Sequence, residues 1–564
     1  MRAASPSRKG RRNSSIVAIA LLSAGCLATG ARAQDPVVEV TVDVTAGRHA
    51  ISPLIYGVSK TSAENLAALN APMTRLGGNY TSRYNWQANA YNRAVDWFFE
   101  SVPETGETPG ASADAFITDA RSAGAQPLVT VPMLDWVARL SDRRSRLASF
   151  SVARYGAQTS TDAQWFPDAG NGVLKGGAHV QGNDPADANT RAGVGFQQAW
   201  IRHLVSTWRG AADGGVRYYV ADNEPSLWHS THRDVHPAGA TMDEVASRLI
   251  EYAEGIKAVD PGGKVVGPEE WGWLGFLYSG HDQQFADRWG WRATLPDRTG
   301  HGGQDYLPWL LDRLAQRGRA TGRWPLDVVS VHYYPEGGEH SNDTSTAMQL
   351  KRNRSTRALW DPAYVDESWI DTPVRLIPRL RSWIDAHYVP GTPIGITEYS
   401  WGADGHISGA MAQADLLGIF GREGVGMAAR WTVPAAGSPT FRAMQMYRNY
   451  DGRRSTFGDV SVRASGADPD TLAVFAAERM TDGALTVMVL NKSLSGAAPV
   501  RLTLPHFLST GTAERWELSA SGVIRRLEDV GVRDALSALL PQQSITLFVL
   551  PSAASAATQP GRVQ

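Results

Sequence analysis

The sequence predicts an α/β protein, a (β/α)8 TIM barrel with an additional antiparallel β-sandwich. Three observations lead to this fold class. Eight short apolar runs lie before residue 434, helical patterns separate them, and alternation of apolar and polar residues replaces both after about residue 452. Fully apolar runs are typical of parallel strands buried on both faces, and eight such strands that alternate with helices indicate a barrel.

Each predicted barrel strand is followed by polar or aromatic residues. The eight runs are 54–59, 73–78, 126–133, 217–223, 264–268, 326–332, 393–397 and 426–433. The clearest helix between them begins at Thr241, where Thr241 and Glu244 form a capping box. Met242, Val245 and Leu249 then recur on one face.

The predicted β-sandwich rests on runs at 485–490, 500–504 and 544–550, which alternate as half-buried strands do. Residues 37–44 alternate in the same way and have no place in the barrel, so we expect them to join the sandwich. The predicted organisation is a signal peptide (1–33), a strand contributed to the sandwich (34–50), the catalytic barrel (51–450), the sandwich (451–551) and a flexible tail (552–564).

The N-terminal segment has the form of a secretory signal. Residues 1–15 contain five basic and no acidic residues, residues 16–28 are mostly apolar, and Ala31-Arg32-Ala33 resembles a signal-peptidase site. We therefore expect cleavage near Ala33 and secretion to the extracellular space or the periplasm. An uncleaved anchor, lipid attachment at Cys26 and twin-arginine export are the alternatives.

Cleavage would change both the charge and the cysteine content. The formal net charge of the full chain is −1, and loss of six basic residues would make it −7. This balance excludes a protein held on nucleic acid by overall charge. Cys26, the single cysteine, would be lost as well. We expect a mature monomer that has no disulfide bond and no stable association with membranes.

Two glutamates end predicted strands on the same side of the barrel. Glu224 follows the fourth strand and Glu398 follows the seventh. In this fold the carboxyl ends of the strands form the active site. Both carboxylates should therefore face one chamber, together with a set of predicted substrate-binding neighbours: Asn223, His332, Tyr334, Trp401 and Trp431.

Paired carboxylates with aromatic walls suit glycoside hydrolysis. One carboxyl group protonates the leaving oxygen, the second meets the oxocarbenium-like carbon, and sugar faces stack on indole rings. Asn223 can donate to a substrate 2-hydroxyl, and a separation of about 5–5.5 Å would favour retention of configuration. Glu269 and Glu270, after the fifth strand, are rival carboxylates that we interpret as substrate or loop contacts.

The block from Asp222 to Pro237, DNEPSLWHSTHRDVHP, resembles the signature of glycoside hydrolase family 44. Further agreement comes from RLGGN at 75–79 with RYNW at 83–86, from SVARYG at 151–156 and from FPDAGNG at 166–172. The resemblance covers residues 40–550 in patches. One departure is Leu76, where many relatives are expected to have Trp.

The resemblance implies a barrel with a sandwich built from both chain ends, and an endo-β-1,4-glucanase or xyloglucanase activity. It also implies a retaining mechanism with Glu224 as acid/base and Glu398 as nucleophile. Asn79 lies in one of the matching patches and joins the predicted substrate-binding residues. No cofactor is expected for the chemistry, and a structural Ca2+ is a plausible addition.

Two residue sets have the composition of metal sites. His229, His232 and His236 are spaced like zinc ligands, although a hydrogen-bonded loop is the interpretation we favour. The second set supplies oxygen ligands of the kind that Ca2+ prefers. It consists of Asp162, Asp168 and Asn171.

The tryptophans are concentrated in the predicted barrel. Of the 19, 18 lie between Trp86 and Trp431. Many will fill the core, and about half of the groove candidates should prove buried. These candidates are Trp86, Trp97, Trp360, Trp369, Trp401 and Trp431.

The sequence thus favours a secreted retaining endo-glucanase that acts on β-glucan polysaccharides, namely cellulose-type glucans or xyloglucan. An endo-acting xylanase or mannanase on the same barrel is an alternative, because the fold does not separate these activities. A carbohydrate-binding protein without catalytic activity is another.

Overall fold

The computed structural model describes residues 36–553, apart from residues 467, 510 and 534. The predicted signal peptide, with Cys26, lies outside the described residues, as does the predicted tail from residue 554 onward. The described residues from Val37 onward belong to one compact unit.

Eight parallel strands close into a barrel, as the sequence predicts. Each strand lies within or overlaps one of the predicted apolar runs. In chain order they are Gly57–Ser59, Met73–Leu76, Gln126–Val131, Tyr218–Ala221, Lys264–Glu270, Val328–Tyr333, Ile394–Tyr399 and Met427–Arg430. The first is shorter than predicted because Pro53 begins a 3-10 turn over Pro53–Tyr56, capped by the Ser52 side chain.

One long helix follows each barrel strand and packs outside it. These helices are Ala63–Leu69, Ala111–Ser122, Val194–Trp208, Met242–Val259, Tyr306–Thr321, Leu376–His387, Ile407–Arg422 and Pro439–Arg448. The predicted N-cap is confirmed at Thr241, whose hydroxyl accepts a hydrogen bond from the backbone N–H of Glu244 at 3.1 Å.

Shorter elements fill the loops at the carboxyl ends of the strands. The helices are Val152–Tyr155, Trp228–Thr231, Trp273–Leu277, Gly280–Trp289, Pro296–Gly300 and Thr346–Ser355. A small four-stranded sheet contains Tyr84–Asn85, Ala90–Asn92, Glu100–Pro103 and Leu147–Ala148. Two further pairs of short antiparallel strands are present. Trp136–Ala138 pairs with Asn189–Arg191, and Thr161–Asp162 pairs with Phe166–Gly170.

The barrel interior is apolar at one end and charged at the other. A buried cluster near the strand starts contains Met73, Leu128, Val220, Val266, Val328 and Met427. Two to four residues later along three of these strands, the buried side chains are Arg75, Glu269 and His332. Apolar side chains therefore fill the barrel near the amino ends of the strands, and the buried charged groups lie toward the carboxyl ends.

The second sheet has ten strands and is mostly antiparallel. Its members are Val38–Asp43, His49–Ala50, Val460–Ser465, Leu472–Glu478, Leu485–Asn491, Ala498–Thr503, Thr512–Leu518, Ile524–Gly531, Ala535–Leu540 and Ser544–Leu550. Its strands enclose a separate core that includes Val487, Leu502, Leu536 and Phe548, as in a β-sandwich.

The N-terminal strand crosses to the sandwich, as its alternation predicts. Val38–Asp43 runs antiparallel to Val460–Ser465 and parallel to Ala498–Thr503. On the barrel side, the helix Ile407–Arg422 packs against the sandwich, and a buried ion pair of 2.7 Å joins its Asp415 to Lys492. Within residues 36–553, no helix combines the length and apolar character needed to cross a membrane.

Candidate active site

Glu224 and Glu398 lie in one chamber at the carboxyl ends of the fourth and seventh strands. A carboxylate oxygen of each lies within 4.8 Å of the other and of a ring nitrogen of His332. The Glu398 side chain is 7% exposed and that of Glu224 is 15% exposed. The two predicted catalytic residues are therefore in direct reach of one another and of the solvent-facing cleft.

A sharp turn after the fourth strand aims Glu224 into the chamber. Asp222 and Glu224 both have positive φ, at 62° and 46°, in the left-handed region that residues other than glycine rarely adopt. The Asp222 carboxylate accepts from the backbone N–H groups of Met133 and Asn223, and the N–H of Glu224 donates to the carbonyl of Glu269 at 3.1 Å. These bonds stabilise an otherwise unfavourable conformation.

His332 is fully buried between carboxylates. Its Nδ1 lies 2.8 Å from Glu224 Oε1, and its Nε2 lies 3.1 Å from Glu269 Oε2. Burial lowers the pKa of His332, but the charge of Glu398 and the bonds to Glu224 and Glu269 raise it to about 10. His332 is thus an imidazolium that donates from both nitrogens. It binds the carboxylates of Glu224 and Glu269 and has no exposed surface, where the sequence predicts a substrate contact.

Both oxygens of Glu398 have a donor. Arg75 Nη1 donates to Oε1 at 2.6 Å, and the hydroxyl of Tyr334 donates to Oε2 at 3.0 Å. Arg75 Nη2 also donates to Asn223 Oδ1 at 2.9 Å, which fixes the orientation of the Asn223 amide. That group donates to Asn79 Oδ1 at 3.3 Å. Asn79 and Asn223 therefore lie together beside the nucleophile candidate.

Glu269 is a third carboxylate in this network, and it is not exposed. Its Oε2 lies 2.8 Å from Arg75 Nη2, while Ser330 and Thr397 donate to Oε1. Burial alone would raise its pKa, but the charge of Arg75 and the bonds from His332 and Ser330 lower it to about 2. Glu269 is thus ionised, and its burial excludes the substrate contact that the sequence left open.

Glu270, the next residue, is a loop contact. Its carboxyl oxygens accept from the hydroxyls of Ser226, at 2.6 Å, and Tyr306, at 2.9 Å. Burial raises the pKa of Glu270 to about 8, so the group is protonated at neutral pH. It fixes the loop that begins two residues after Glu224.

Charge balance favours a proton on Glu224. The network contains the carboxylates of Glu224, Glu269 and Glu398 against the cations of Arg75 and His332. Burial first, and then the charge of Glu398, raise the pKa of Glu224 against the opposing effect of His332. A protonated Glu224 makes the five groups neutral together, which is the cheapest arrangement in a site that excludes water.

These groups are unsuited to a metal ion. Glu224, His332 and Glu398 are the one cluster of three potential ligands found between residues 36 and 553. Both nitrogens of His332 donate to carboxylates, however, and Arg75 already contacts Glu398. A cation would have to displace two positive charges, so this donor set holds protons.

The histidines of the loop after Glu224 turn to separate partners. The ring of His232 is fully buried beside Arg83, and His236 lies 2.9 Å from Glu244. His229 lines a groove on the other side of the loop. The three rings do not form a cluster of converging ligand atoms within residues 36–553, and one nitrogen of each ring has no hydrogen-bond partner there.

The three oxygen ligands considered for Ca2+ also have separate partners. Asp168 accepts from Ser151 and from a backbone N–H, and Asn171 bonds to Thr159. Asp162 accepts from two backbone N–H groups of its own turn. These bonds leave no shared cage.

Asp162 lies instead beside a carboxylate that the sequence analysis did not consider. Glu100 is fully buried, and its Oε1 has no hydrogen-bond partner in the described structure. Burial and the neighbouring Asp162 raise the pKa of Glu100 to about 7, although Arg146 lies 3.2 Å from its other oxygen. Arg146 Nη1 also lies 3.8 Å from Asp162 Oδ2, so one guanidinium faces both carboxylates, and the unpartnered Oε1 of Glu100 is the oxygen left for a further cation such as Ca2+.

Trp431, just after the eighth strand, lies against the Gly78-Asn79 segment. A Cβ atom at Gly78 would come within 2.7 Å of Trp431 Cη2, and Gly78 has a φ of 92°, so this contact requires glycine. The peptide bond from Trp431 to Thr432 is cis. The ring is half-buried, and its remaining surface suits a sugar face.

Trp97 and Trp369 are exposed, at 38% and 55% of their surface. Trp97 follows Asp96, whose carboxylate accepts from Asn79 at 3.2 Å. Trp369 donates from Nε1 to Glu336 at 3.4 Å, three residues beyond the end of the sixth strand. Both are exposed, as groove residues would be, and their contact with substrate stays a prediction.

Trp401 and Trp360 correct the predicted set. Trp401 is 2% exposed, and its Nε1 donates to Ser355 at 2.9 Å, so the ring fills the core. Trp360 packs beneath the guanidinium of Arg422 at 4.2 Å, in a pocket between the barrel and the sandwich. Neither ring lines the cleft.

Trp86 and Leu76 are also directed elsewhere. The Trp86 ring packs against Phe196 and His203 of the outer helix Val194–Trp208. Leu76 is 2% exposed and belongs to the hydrophobic core. The departure at position 76 therefore does not alter an exposed sugar-binding wall.

Sequence reasoning missed three contributors. The roles of Arg75 and Glu269 were not recognised, although a charged residue inside an apolar strand is the signal that could have found them. Trp165, 55% exposed, was not selected, yet its ring lies 5.3 Å from that of Trp97. The pair extends the aromatic surface near Asp96.

Comparison with known proteins agrees with this geometry. Residues 90–337 match the model of glycoside hydrolase family 44. Endoglucanase A of Paenibacillus lautus is 33% identical over 484 residues, which are 81% of this chain and 64% of that protein. The chain thus spans slightly less than two thirds of that relative.

Two solved structures match over almost the whole chain. The crystal structure of CelM2, a bifunctional glucanase-xylanase from a metagenome library, has a TM-score of 0.91 and 56% identity, over 92% of this chain and 100% of that one. A Paenibacillus polymyxa xyloglucanase from glycoside hydrolase family 44 has a TM-score of 0.76 and 28% identity, also over 92% and 100%.

Proposed function

Because this chain belongs to glycoside hydrolase family 44, we propose that it is a secreted, retaining endo-glycosidase that cleaves β-1,4-glucosidic bonds in cellulose-type glucans or xyloglucan. The observation that carries the proposal is the approach of Glu224 and Glu398 within 4.8 Å. A pair this close suits direct attack by one carboxylate and leaves no room for the water that an inverting enzyme places between them.

In the first step Glu224 donates its proton to the leaving glycosidic oxygen. The raised pKa of Glu224 keeps that proton in place until substrate arrives. His332 donates to Oε1 of Glu224, so the proton resides on the opposite oxygen. Glu398 attacks the anomeric carbon as the bond to the leaving group breaks, and a covalent glycosyl-enzyme forms.

In the second step Glu224 acts as base. Formation of the ester removes the negative charge of Glu398, and with it one cause of the raised pKa of Glu224. Glu224 then takes a proton from the attacking water. Arg75 and Tyr334, which donate to the two oxygens of Glu398, stabilise its carboxylate as it departs.

Asn223 and the aromatic residues position the sugar. The side-chain amide of Asn223 has two N–H groups, and the one that does not bond to Asn79 can donate to a substrate 2-hydroxyl. This interaction strengthens in the transition state. Trp431 supplies a stacking surface beside it. Trp97 and Trp369 extend that surface along a cleft that accepts a chain of glucosyl units.

A xylanase activity on the same site is the second candidate. CelM2 is described as a bifunctional glucanase-xylanase and is 56% identical to this chain. The β-1,4-xylan backbone has the linkage of cellulose without the 5-hydroxymethyl group, and it presents the same ring faces for stacking.

A panel of polysaccharides tests the proposal. Purified protein is incubated with carboxymethylcellulose, xyloglucan, lichenan, xylan and mannan, and product sizes and viscosity are followed. We expect viscosity to fall well before reducing ends accumulate on at least one β-1,4-glucan. Activity on xylan alone would favour the second candidate, and inactivity on every β-1,4-glucan would refute the first.

We also propose that Glu100 and Asp162 hold a structural Ca2+. The unpartnered, buried Oε1 of Glu100 supports this assignment. The ion would neutralise two adjacent carboxylates and fix the loop that carries Trp97, since Trp97 Nε1 donates to Asp162 at 3.3 Å. It would take no part in bond cleavage. We propose a monomer that has no stable contact with membranes.

A further inference from the structure

A second groove lies beside the catalytic chamber, on the far side of the loop that follows Glu224. It has a volume of about 930 Å³, at the upper end of the range of ligand pockets. Its walls are the segment 179–185, residues 229–237 and the helix Gly280–Trp289, with Val95 at one edge. We call it the side groove.

The side groove shares two wall segments with the catalytic site. His229 and Ser230 follow Glu224 by five and six residues in the same loop. Val95 precedes Asp96, which accepts a hydrogen bond from Asn79 beside Asn223. The loop that carries Glu224 therefore also forms one wall of the side groove.

The surface of the side groove has the chemistry of a sugar site. Trp289 lines it and is 60% exposed, with the guanidinium of Arg288 4.9 Å from its ring centre and the ring of Phe285 at 6.4 Å. Gln181, Asn183 and Gln284 add amide groups that can pair with hydroxyls. An exposed indole next to neutral hydrogen-bonding groups suits the apolar face and polar rim of a pyranose ring.

The charged groups that line the groove balance one another, Arg233 and Arg288 against Asp234 and Asp287, which favours a neutral ligand. Burial lowers the pKa values of His179 and His229, so each ring is neutral at pH 7 and offers one donor and one acceptor. Asp234 is already paired with Arg83 at 3.0 Å. The guanidinium of Arg233 lies 4.4 Å from the ring centre of Phe99.

We propose that the side groove is a second carbohydrate-binding site, which holds a stretch of the same β-glucan chain outside the catalytic cleft. This inference rests on the proposed function. The groove raises the affinity for long chains and adds nothing for a ligand that fills the catalytic cleft alone, because a short ligand does not reach Trp289.

Binding is tested in the background of Glu398→Gln, which removes the nucleophile. Retardation of this variant in native gels that contain xyloglucan or hydroxyethylcellulose is compared with that of Glu398→Gln/Trp289→Ala. We expect the second substitution to weaken retention about fivefold, the typical effect of losing one aromatic contact. Glu398→Gln/Trp291→Ala is the matched control, because Trp291 is 42% exposed, stacks on Tyr278 and does not line the groove.

Comparison of kcat/KM on a short and a long substrate distinguishes the side groove from the catalytic cleft. With Glu398 intact, Trp289→Ala should leave kcat/KM on an aryl β-cellobioside unchanged and lower it about fivefold on long xyloglucan. Equal retention of the Trp289 and Trp291 variants would refute the side groove, even if the enzyme cleaves glucan. Failure of both wild-type cleavage and Glu398→Gln retention on every polysaccharide would refute the proposed function instead.

Discussion

The carboxylate of Glu269 lies 2.8 Å from Nη2 of Arg75, and neither side chain is exposed. The same guanidinium donates to Glu398, and the same carboxylate accepts from His332, which in turn bonds to Glu224. Glu269 is buried, and a single intervening residue links it to each of the two carboxylates proposed to be catalytic. Its charge keeps Arg75 and His332 cationic and in place.

Replacement of Glu269 should reduce catalysis and change its pH dependence. Glu269→Gln keeps the shape but removes the charge, and a broken buried pair costs roughly 3 kcal/mol of stability. We expect kcat to fall at least about tenfold with a smaller change in KM, because Arg75 and His332 act on the carboxylates. The bond to the Glu269 carboxylate is one of the causes that raise the pKa of His332, so this pKa should fall in the variant. The alkaline limb of the pH–rate profile should therefore move to lower pH.

Thr397→Val is the control for this change. Thr397 donates to the same Glu269 carboxylate at 2.8 Å, but its loss leaves every charge in place. Steady-state kinetics from pH 4 to pH 10 on both variants separate the effects. A Glu269→Gln enzyme with the wild-type kcat and pH profile would show that this carboxylate has only a packing role.

An added nucleophile, azide, should restore product formation after the proposed nucleophile is removed. Glu398→Ala leaves space where the carboxylate stood, and we expect turnover of an aryl β-cellobioside to fall by roughly 10⁴-fold or more. Azide should then attack the anomeric carbon from the vacated side and give the α-glycosyl azide, of inverted configuration, which NMR identifies. Glu224→Ala should instead give the β-azide. Ordinary activity in Glu398→Ala would contradict the assignment of the nucleophile.

The fold was predictable because its signals are local. Apolar runs mark strands buried on both faces, and the capping box at Thr241 marks the start of a helix whatever lies around it. The strand Val38–Asp43 could be placed in the sandwich because alternation contradicts a barrel position. Glu224 and Glu398 followed from their positions at strand ends.

The inward direction of Glu269 could not be predicted in the same way. The fifth strand changes register between Pro268 and Glu270 where it pairs with the sixth, so simple alternation fails there. Either of two adjacent glutamates could have faced the chamber. Tertiary contacts place Glu269 against Arg75 and Glu270 against Ser226.

The tryptophans show a second limit of sequence reasoning. Indole rings suit both a sugar-binding surface and a core, so the residue type does not distinguish the two. Trp401 follows a catalytic strand, yet its ring packs by Tyr333 and donates to Ser355. Only the three-dimensional arrangement separates it from Trp431.

Calcium should stabilise the protein through Glu100 and Asp162. The folded pKa of Glu100 is raised to about 7, so its contribution to stability is fully present below its unfolded pKa of 4.5 and is lost as pH rises through 7. A bound cation would stabilise the ionised carboxylate of Glu100 and so restore this stability at higher pH. At 100 times its Kd an ion adds about 2.7 kcal/mol.

Thermal unfolding at pH 8, with 2 mM CaCl₂ or with excess EDTA, measures this effect. We expect a Tm several degrees higher with Ca2+ in the wild type and no difference in Glu100→Gln. Asp168→Asn is the control, since Asp168 bonds to Ser151 and lies outside the proposed site. Equal Tm values with and without Ca2+ in the wild type would refute the assignment.

Glu270 should give the protein a pH-dependent stability that a single substitution removes. Its pKa rises from 4.5 to about 8 on folding, because burial disfavours the charged form. The stabilising contribution is therefore fully present below pH 4.5 and is lost as pH rises through 8. Glu270→Gln is neutral at every pH and can still bond to Ser226 and Tyr306, so its stability should not change with pH through this group.

The difference in Tm between wild type and Glu270→Gln is measured from pH 5 to pH 9. We expect the wild type to lose stability relative to the variant across this range, most steeply between the unfolded and the folded pKa and levelling off above about pH 8. Glu254→Gln is the control, because hydrogen bonding to Arg317 lowers the pKa of Glu254, so that its contribution is lost only below pH 4.5 and its difference from the wild type should stay constant from pH 5 to pH 9. Parallel curves for wild type and Glu270→Gln would mean that Glu270 is ionised in the folded protein. In that case Glu270 would add a buried negative charge beside the loop after Glu224. The charge balance described for the active-site groups would then require one more cation.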